Sequence, residues 1–272
     1  MKSKTLTDTQ ISEFITHLNE HGYCIIKNLL SDDNAQKLNS IADFLFNEVS
    51  KGQTTTPPVG RQKTIANDPI VNNAINYNDD LLNLCTSDDY LSIYKYFLND
   101  PYYQLIDDEY PNFILAQCNL RKGASALDYH VDVRMNVKGL QSWSMQGIIA
   151  FDERGSNNGG LNVIPGSHLL DYFPSSNIDK SNEIKINLAR GDMVIFFSSL
   201  FHSTTSVAEG FHPAWGFLLT YRCWWCKPQF DFVRMLSETR KSRLSNLQKT
   251  LIGCHSLPSN DPKSTPSART GY

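Results

Sequence analysis

The sequence predicts an α+β protein whose second half is mainly β, and three observations carry that prediction. Apolar residues recur at helical spacing through residues 6–100. From about residue 103, short runs rich in aromatic and β-branched residues alternate with turn residues. The helices precede the strands rather than alternating with them, which argues against a doubly wound parallel sheet. Several short strands at this spacing suggest a sandwich or a barrel.

Thr7 and Gln10 fit a capping box, T-x-x-Q, at the start of a first helix. Ile11, Phe14, Ile15 and Leu18 form its apolar face and Gly22 stops it. Tyr23 to Ile26 reads as a short strand. Ser31, Asp32 and Asp33 start a second helix whose apolar face is Ala35, Leu38, Ile41, Ala42, Leu45 and Val49. Residues 53–64, with Pro57, Pro58 and Gly60, read as a long loop of the kind that serves as a lid. Residues 78–99 return to helix, with Leu82, Cys85, Tyr94 and Phe97 on apolar faces; the aromatic cluster Tyr90–Tyr103 reads as helix core. The expected strands are Phe113–Leu120, Tyr129–Val133, Ser144–Phe151, Leu161–Ile164, Glu183–Leu188, Asp192–Phe197 and Ala214–Cys223. Residues 1–254 read as a single domain, and the Ser/Pro/Thr-rich residues 255–272 as a disordered tail.

Composition narrows the function classes. The 272 residues are 40% apolar and 19% charged, enough for a real core. The net charge of -3 and pI near 6.2 argue against a dedicated nucleic-acid binder, whose domain has a pI above about 9. No apolar run approaches the roughly 18 residues of a membrane span. The start, MKSKTLTDTQ, lacks the apolar stretch of a secretory signal, and six cysteines at irregular spacing are too sparse for a disulfide scaffold. The expectation is a soluble, cytoplasmic globular protein.

Chemistry concentrates in the strand-rich half. In Tyr129-His130-Val131-Asp132, residues i and i+2 of a strand face the same side, so His130 and Asp132 can both point into a barrel mouth. One more ligand would complete a facial triad of two histidines and one carboxylate, which leaves open positions and suits non-haem Fe(II). His202, just after the apolar run VIFFSSLF, is the best candidate.

Between the two parts of this triad lies Asn158-Gly159-Gly160-Leu161-Asn162-Val163-Ile164-Pro165-Gly166-Ser167-His168. With HGYCIIKNLLS, the H-x-D strand and RGDMVIFFSSLFHSTTS, it resembles the phytanoyl-CoA dioxygenase family of Fe(II)/2-oxoglutarate oxygenases over roughly residues 6–222. The resemblance implies a double-stranded β-helix (jelly-roll) core over residues 103–226, with the N-terminal helices packed on one sheet. It also implies Fe(II) held by His130, Asp132 and His202, with 2-oxoglutarate and O2 as co-substrates. The implied reaction is hydroxylation of a small organic molecule as 2-oxoglutarate is decarboxylated to succinate.

One part of the family pattern is missing. The distal carboxylate of 2-oxoglutarate usually pairs with an Arg about nine to twelve residues after the distal His, because a guanidinium binds a carboxylate bidentately. That window here holds Phe211, His212, Pro213 and Ala214. Arg222 lies eight residues beyond Ala214, about 26 Å along a strand, and is rejected as a replacement. Candidate contacts are Arg134, by strand parity with Asp132; Thr204, two residues after His202; Gln117, on the preceding strand; and His212.

His168 reads as a turn or gating residue bonded to backbone, and His17, His21 and His255 as solvated. Cys223-Trp224-Trp225-Cys226, with Cys254 and His255, offers a zinc site, but the second closely spaced pair of structural zinc is missing, and buried or edge cysteines fit better. Two rivals to an oxygenase stay open: a jelly-roll metal- or ligand-binding protein without 2-oxoglutarate turnover, and a zinc-dependent structural protein using Cys223 and Cys226.

Overall fold

The structure is a computed structural model that describes residues 4–52, 68–100, 110–123, 125–132, 142–175 and 177–256. The expected lid at 53–64 and most of the expected tail lie outside the described residues, as does Arg134.

The N-terminal part follows the capping signals. Helix α1 runs Asp8–His21; the Thr7 hydroxyl accepts the Gln10 N–H, Gln10 returns its side chain to the Thr7 N–H, and Gly22 closes the helix at φ 85°. Strand β1 is Tyr23–Ile26. Helix α2, Asp32–Phe44, is capped by Ser31 and continues into a π-helical turn, Leu45–Val49. After the short strand β2, Ile70–Val71, come α3, Asp79–Cys85, and α4, Asp88–Leu98.

Eight further strands follow: β3 Phe113–Gly123, β4 Leu127–His130, β5 Ser144–Ala150, β6 Leu161–Val163, β7 Ile184–Ile186, β8 Met193–Phe197, β9 His202–Thr204 and β10 Ala214–Cys223. They form two antiparallel sheets, ordered β1-β8-β5-β10-β3-β2 and β4-β9-β6-β7. Three short helices, α5 Phe232–Met235, α6 Glu238–Lys241 and α7 Asn246–Leu251, follow β10.

Strand β8 shows how the sequence builds the layers. Met193, Ile195 and Phe197 join the core shared with the helices, whereas Val194 and Phe196 join a second cluster with Leu161, Val163 and Ile186 between the sheets. Both faces are buried, so β8 reads as one continuous apolar run. Strand β10 uses the same alternation to divide its labour. Trp215, Phe217, Leu219 and Tyr221 enter the helix-side core. On the opposite face, Gly216 stands beside Arg121 and Ala150, and Thr220 beside Gln117 and Gln146. Thr220 and Gln146 are tied by a 2.6 Å hydrogen bond, and Gln146 Nε2 donates to the Ser198 hydroxyl at 3.1 Å.

The structure corrects several expectations. The strand expected over Tyr129–Val133 is β4, ending at His130, so Asp132 lies in the bend that follows. β2 and β9, with two and three residues, are too short to give a periodic signal. His17 is not solvated: its Nδ1 lies 2.6 Å from the Tyr23 carbonyl. His255 Nδ1 likewise meets the Thr250 hydroxyl at 3.0 Å. Of the aromatic cluster Tyr90–Tyr103, Tyr90 and Tyr94 are fully buried, but Tyr96 is exposed on the outer face of α4, and Tyr102 and Tyr103 lie outside the described residues.

Candidate metal centre

His130 and His202 come from neighbouring strands of the smaller sheet. They are direct partners across the β4–β9 pair, so both side chains leave the sheet on one face, with ring centroids 4.2 Å apart. Asp132 is held in place by its own N–H, which donates to the Ser198 carbonyl at 2.9 Å. Its carboxylate lies 3.8 Å from His130 Nε2 and 3.6 Å from His202 Nε2. One ligand atom from each of the three residues lies within 4.8 Å of the others. Ligands about 2.1 Å from one ion stand about 3 Å apart at neighbouring corners, a small side-chain rotation from the present spacing.

The hydrogen bonds around the imidazoles fix which nitrogen is free. His130 Nδ1 is 2.8 Å from the Asp128 carbonyl, and His202 Nδ1 is 2.9 Å from the Leu200 carbonyl. Only a protonated Nδ1 can donate there, so each Nε2 keeps its lone pair for a metal. Burial, then the neighbouring His130, push the pKa of His202 down to about 4, although Asp132 pulls the other way. His202 is therefore neutral at physiological pH, the form that ligates. Two imidazoles and one carboxylate on one face, with no further ligand among the described residues, fit a first-row divalent ion, Fe(II) in particular.

The P-G-S-H turn braces this centre. The Ser167 hydroxyl, which is buried, accepts the Phe201 N–H at 2.8 Å, and the Ile164 N–H donates to the Phe201 carbonyl at 3.0 Å. Both bonds grip the residue immediately before His202. Phe196, from the larger sheet, closes the other side with its ring 5.0 Å from that of His202. Sequence reasoning missed Ser167, although it stands in the quoted motif. His168 takes the backbone role expected of it: Nε2 lies 3.2 Å from the Asn19 carbonyl and the ring stacks on Phe197.

The residues expected to touch 2-oxoglutarate fall in different places. Thr204 lines a cavity of about 40 Å³ together with Arg154, Arg121, Asp68, Ile148 and Leu218. Its hydroxyl is already used, donating to the Ser125 carbonyl and accepting the Leu127 N–H. Gln117 stands opposite Thr220 on the inner face, its Oε1 3.1 Å from the Thr220 hydroxyl. His212 is exposed just before β10 and does not line this cavity. Arg222 stands opposite Ile114, near the far end of β10, as its rejection requires. Arg154, absent from the sequence candidates, is buried beside Gly216.

Cys223 and Cys226 are free thiols joined by a turn, the Cys226 N–H donating to the Cys223 carbonyl. Burial pushes their pKa values up to about 12 and about 11, which keeps both protonated. No metal-ligand group among the described residues includes them. No described helix is long and apolar enough to cross a membrane.

Comparisons with known proteins agree with this architecture. The family model described as phytanoyl-CoA dioxygenase (PhyH) matches residues 18–208. A Saccharomyces cerevisiae protein, YJR154W, is 25% identical over 209 residues, covering 71% of this chain and 59% of its own length. Among solved structures, the epimerase SnoN, in complex with Fe3+, alpha ketoglutarate and nogalamycin RO, superposes with a TM-score of 0.63 at 13% identity, covering 84% of this chain and 90% of SnoN. EctD from S. alaskensis with bound Fe gives 0.60 at 16% identity, covering 84% of each chain. HygX from Streptomyces hygroscopicus, with nickel and 2-oxoglutarate bound, gives 0.60 at 13% identity, covering 83% of this chain and 90% of HygX. At these identities the solved structures establish the fold, the two-sheet jelly roll.

Proposed function

Because the chain belongs to the phytanoyl-CoA dioxygenase family, we propose that it is a non-haem Fe(II)/2-oxoglutarate-dependent oxygenase that hydroxylates a small organic molecule. The observation that carries this reading is the convergence of His130, Asp132 and His202, with both Nδ1 atoms spent on backbone carbonyls and both Nε2 atoms beside the carboxylate. Fe(II), 2-oxoglutarate and O2 bound there would together supply the oxidant for a C–H bond, leaving succinate and CO2. The chain's own residues perform the rest. His130 and His202 present their Nε2 lone pairs to the ion, and Asp132 adds the negative charge that a divalent ion requires. Ser167 and Ser198 hold the segments that carry His202 and Asp132. Phe196 excludes water from the His202 side of the centre.

Two measurements test the reading. Anaerobic reconstitution should give one Fe(II) per chain. In air with ascorbate, the reconstituted protein should turn 2-oxoglutarate into succinate slowly even without substrate. Iron binding with no succinate formed would favour the rival reading of a metal-binding jelly roll. Failure to bind iron would remove the metal centre itself.

A further inference from the structure

We propose that Arg154, from the loop between β5 and β6, takes the place of the missing β10 arginine and anchors the distal carboxylate of 2-oxoglutarate. The inference rests on the reading that the centre uses 2-oxoglutarate.

The first argument is spatial. Ala214 and Gly216 lie on the inward face of β10, where the absent arginine would start. A Cβ built on Gly216 would collide with Arg154 Nη1, and one built on Gly123, the strand partner of Ala214, would come within 2.6 Å of Nη2. The guanidinium thus occupies space that side chains from β10 and β3 would otherwise fill. It reaches there from a fixed backbone, since Arg154 and Leu188 exchange both N–H···O=C bonds at 2.9 and 2.8 Å.

The second argument is the unfilled hydrogen bond. Arg154 is 7% exposed. Its Nη2 donates to the Gly159 carbonyl at 2.8 Å, but its Nη1 is buried without a partner among the described residues. A guanidinium placed only to support the fold would be satisfied by carbonyls on all sides. Burying a charge without compensation is costly, and a buried donor without an acceptor adds to that cost.

The third argument is charge. Arg121 directs both Nε and Nη2 at Asp68 Oδ2, 2.9 and 2.7 Å away. Asp68 also accepts the Ser125 N–H at 2.9 Å. Among the described residues that line it, the cavity holds two guanidinium groups and one carboxylate, an excess of one positive charge that a single ligand carboxylate would neutralise. Burial, then repulsion from Arg121, lower the pKa of Arg154 to about 10, so it stays charged at neutral pH and gains from an added anion.

The last argument is reach. Thr204 borders this cavity and lies two residues along β9 from His202, about 7 Å at strand spacing. A five-carbon diacid chelating the metal through one end would extend its other carboxylate to this depth. The cavity of about 40 Å³ suits a carboxylate and little more.

The test compares two 2-oxo acids on the Fe(II)-loaded protein without oxygen, following the visible charge-transfer absorption that chelation produces. 2-Oxoglutarate carries the distal carboxylate; pyruvate lacks it. In Arg154→Gln, 2-oxoglutarate should bind about a hundredfold more weakly, with Fe(II) content and pyruvate affinity unchanged. Arg154→Lys, which keeps the charge but loses the fork, provides a second variant should the first not fold; it should weaken 2-oxoglutarate about tenfold and leave pyruvate alone. Wild-type affinity for 2-oxoglutarate in a folded variant overturns the assignment, as does an equal loss of pyruvate, which would place the damage at the metal. If the wild-type protein binds Fe(II) but neither 2-oxo acid, the oxygenase reading fails and the anchor falls with it.

Discussion

His130 and His202 use one device twice. Each ring faces the carbonyl two residues earlier in the chain, Asp128 for one and Leu200 for the other, and the two residues are direct partners across β4 and β9. The ligand rings are thereby oriented by their own backbone before any metal arrives. Asp132 needs a different support, the Ser198 carbonyl, because the chain leaves the strand after His130.

Asp132→Ala should abolish high-affinity metal binding and turnover together. The centre would lose the carboxylate among its three described ligands, while the two imidazoles remained in place. In the wild-type protein, Fe(II) at a hundred times its Kd should stabilise the fold by about 2.7 kcal/mol through binding to the native state alone. Thermal melting with and without Fe(II) checks this: the shift should appear in the wild type, vanish on chelation, and be absent from the variant. A metal-induced shift retained in Asp132→Ala would place the ion elsewhere.

Ser167→Ala tests the brace behind His202. Removing the hydroxyl leaves the Phe201 N–H buried without its acceptor, at about 1–3 kcal/mol. Supports behind a ligand typically change metal affinity by about 10- to 100-fold. A tenfold rise in the metal Kd measured well below the melting temperature is expected. A lower melting temperature with an unaltered Kd would make Ser167 a fold residue only.

The double change Cys223→Ser and Cys226→Ser should leave metal content at one iron per chain. No group of three ligand residues among the described residues includes either cysteine, so nothing there completes a zinc site. Elemental analysis decides: loss of bound zinc from the double variant would revive the zinc reading.

Much of this molecule is legible in its sequence, for reasons visible at particular residues. Thr7, Gln10 and Gly22 mark the ends of α1 because capping is local chemistry. Phe113–Leu120 and Ala214–Cys223 announce β3 and β10 because long, buried strands need apolar runs. His130 and Asp132 stand out as an H-x-D pair, although strand parity is not what joins them, since Asp132 lies in the bend after β4; His202, 70 residues beyond Asp132, stands out by its place after an apolar run. Arg154 gave no such signal. Its surroundings come from Gly123, Gly159 and Gly216, brought together from three separate segments, and its inward direction depends on a backbone pairing with Leu188. A relocated side chain is a tertiary fact, and local pattern carries no trace of it.

Asp192→Ala should separate stability from metal binding. In R-G-D-M-V-I-F-F, Asp192 is fully buried and closes the turn that leads into β8. Its carboxylate accepts the N–H groups of Asn28 and Ala189, each at 2.9 Å, and pairs with the Lys27 ammonium at 2.7 Å. Gly191, at φ +86°, packs so closely on the Leu30 carbonyl that a Cβ could not fit, so the turn has little freedom to rearrange. Truncation would orphan two backbone donors, at about 1–3 kcal/mol each, while the largely exposed Lys27 ammonium would turn to solvent. At about 2–4 °C per kcal/mol for a domain of this size, the melting temperature should fall by about 10 °C. The metal ligands are braced by Ser167 and Ser198 and by their own carbonyl bonds, none of which passes through Asp192. Fe(II) affinity at low temperature should therefore stay within about threefold of wild type, on the general independence of separated sites. Asp192→Asn, which retains one acceptor oxygen, should lose roughly half as much stability. Calorimetry paired with metal titration distinguishes the cases: a large loss of affinity in a folded Asp192→Ala protein would show that the β8 turn, and not only the P-G-S-H turn, sets the position of His202.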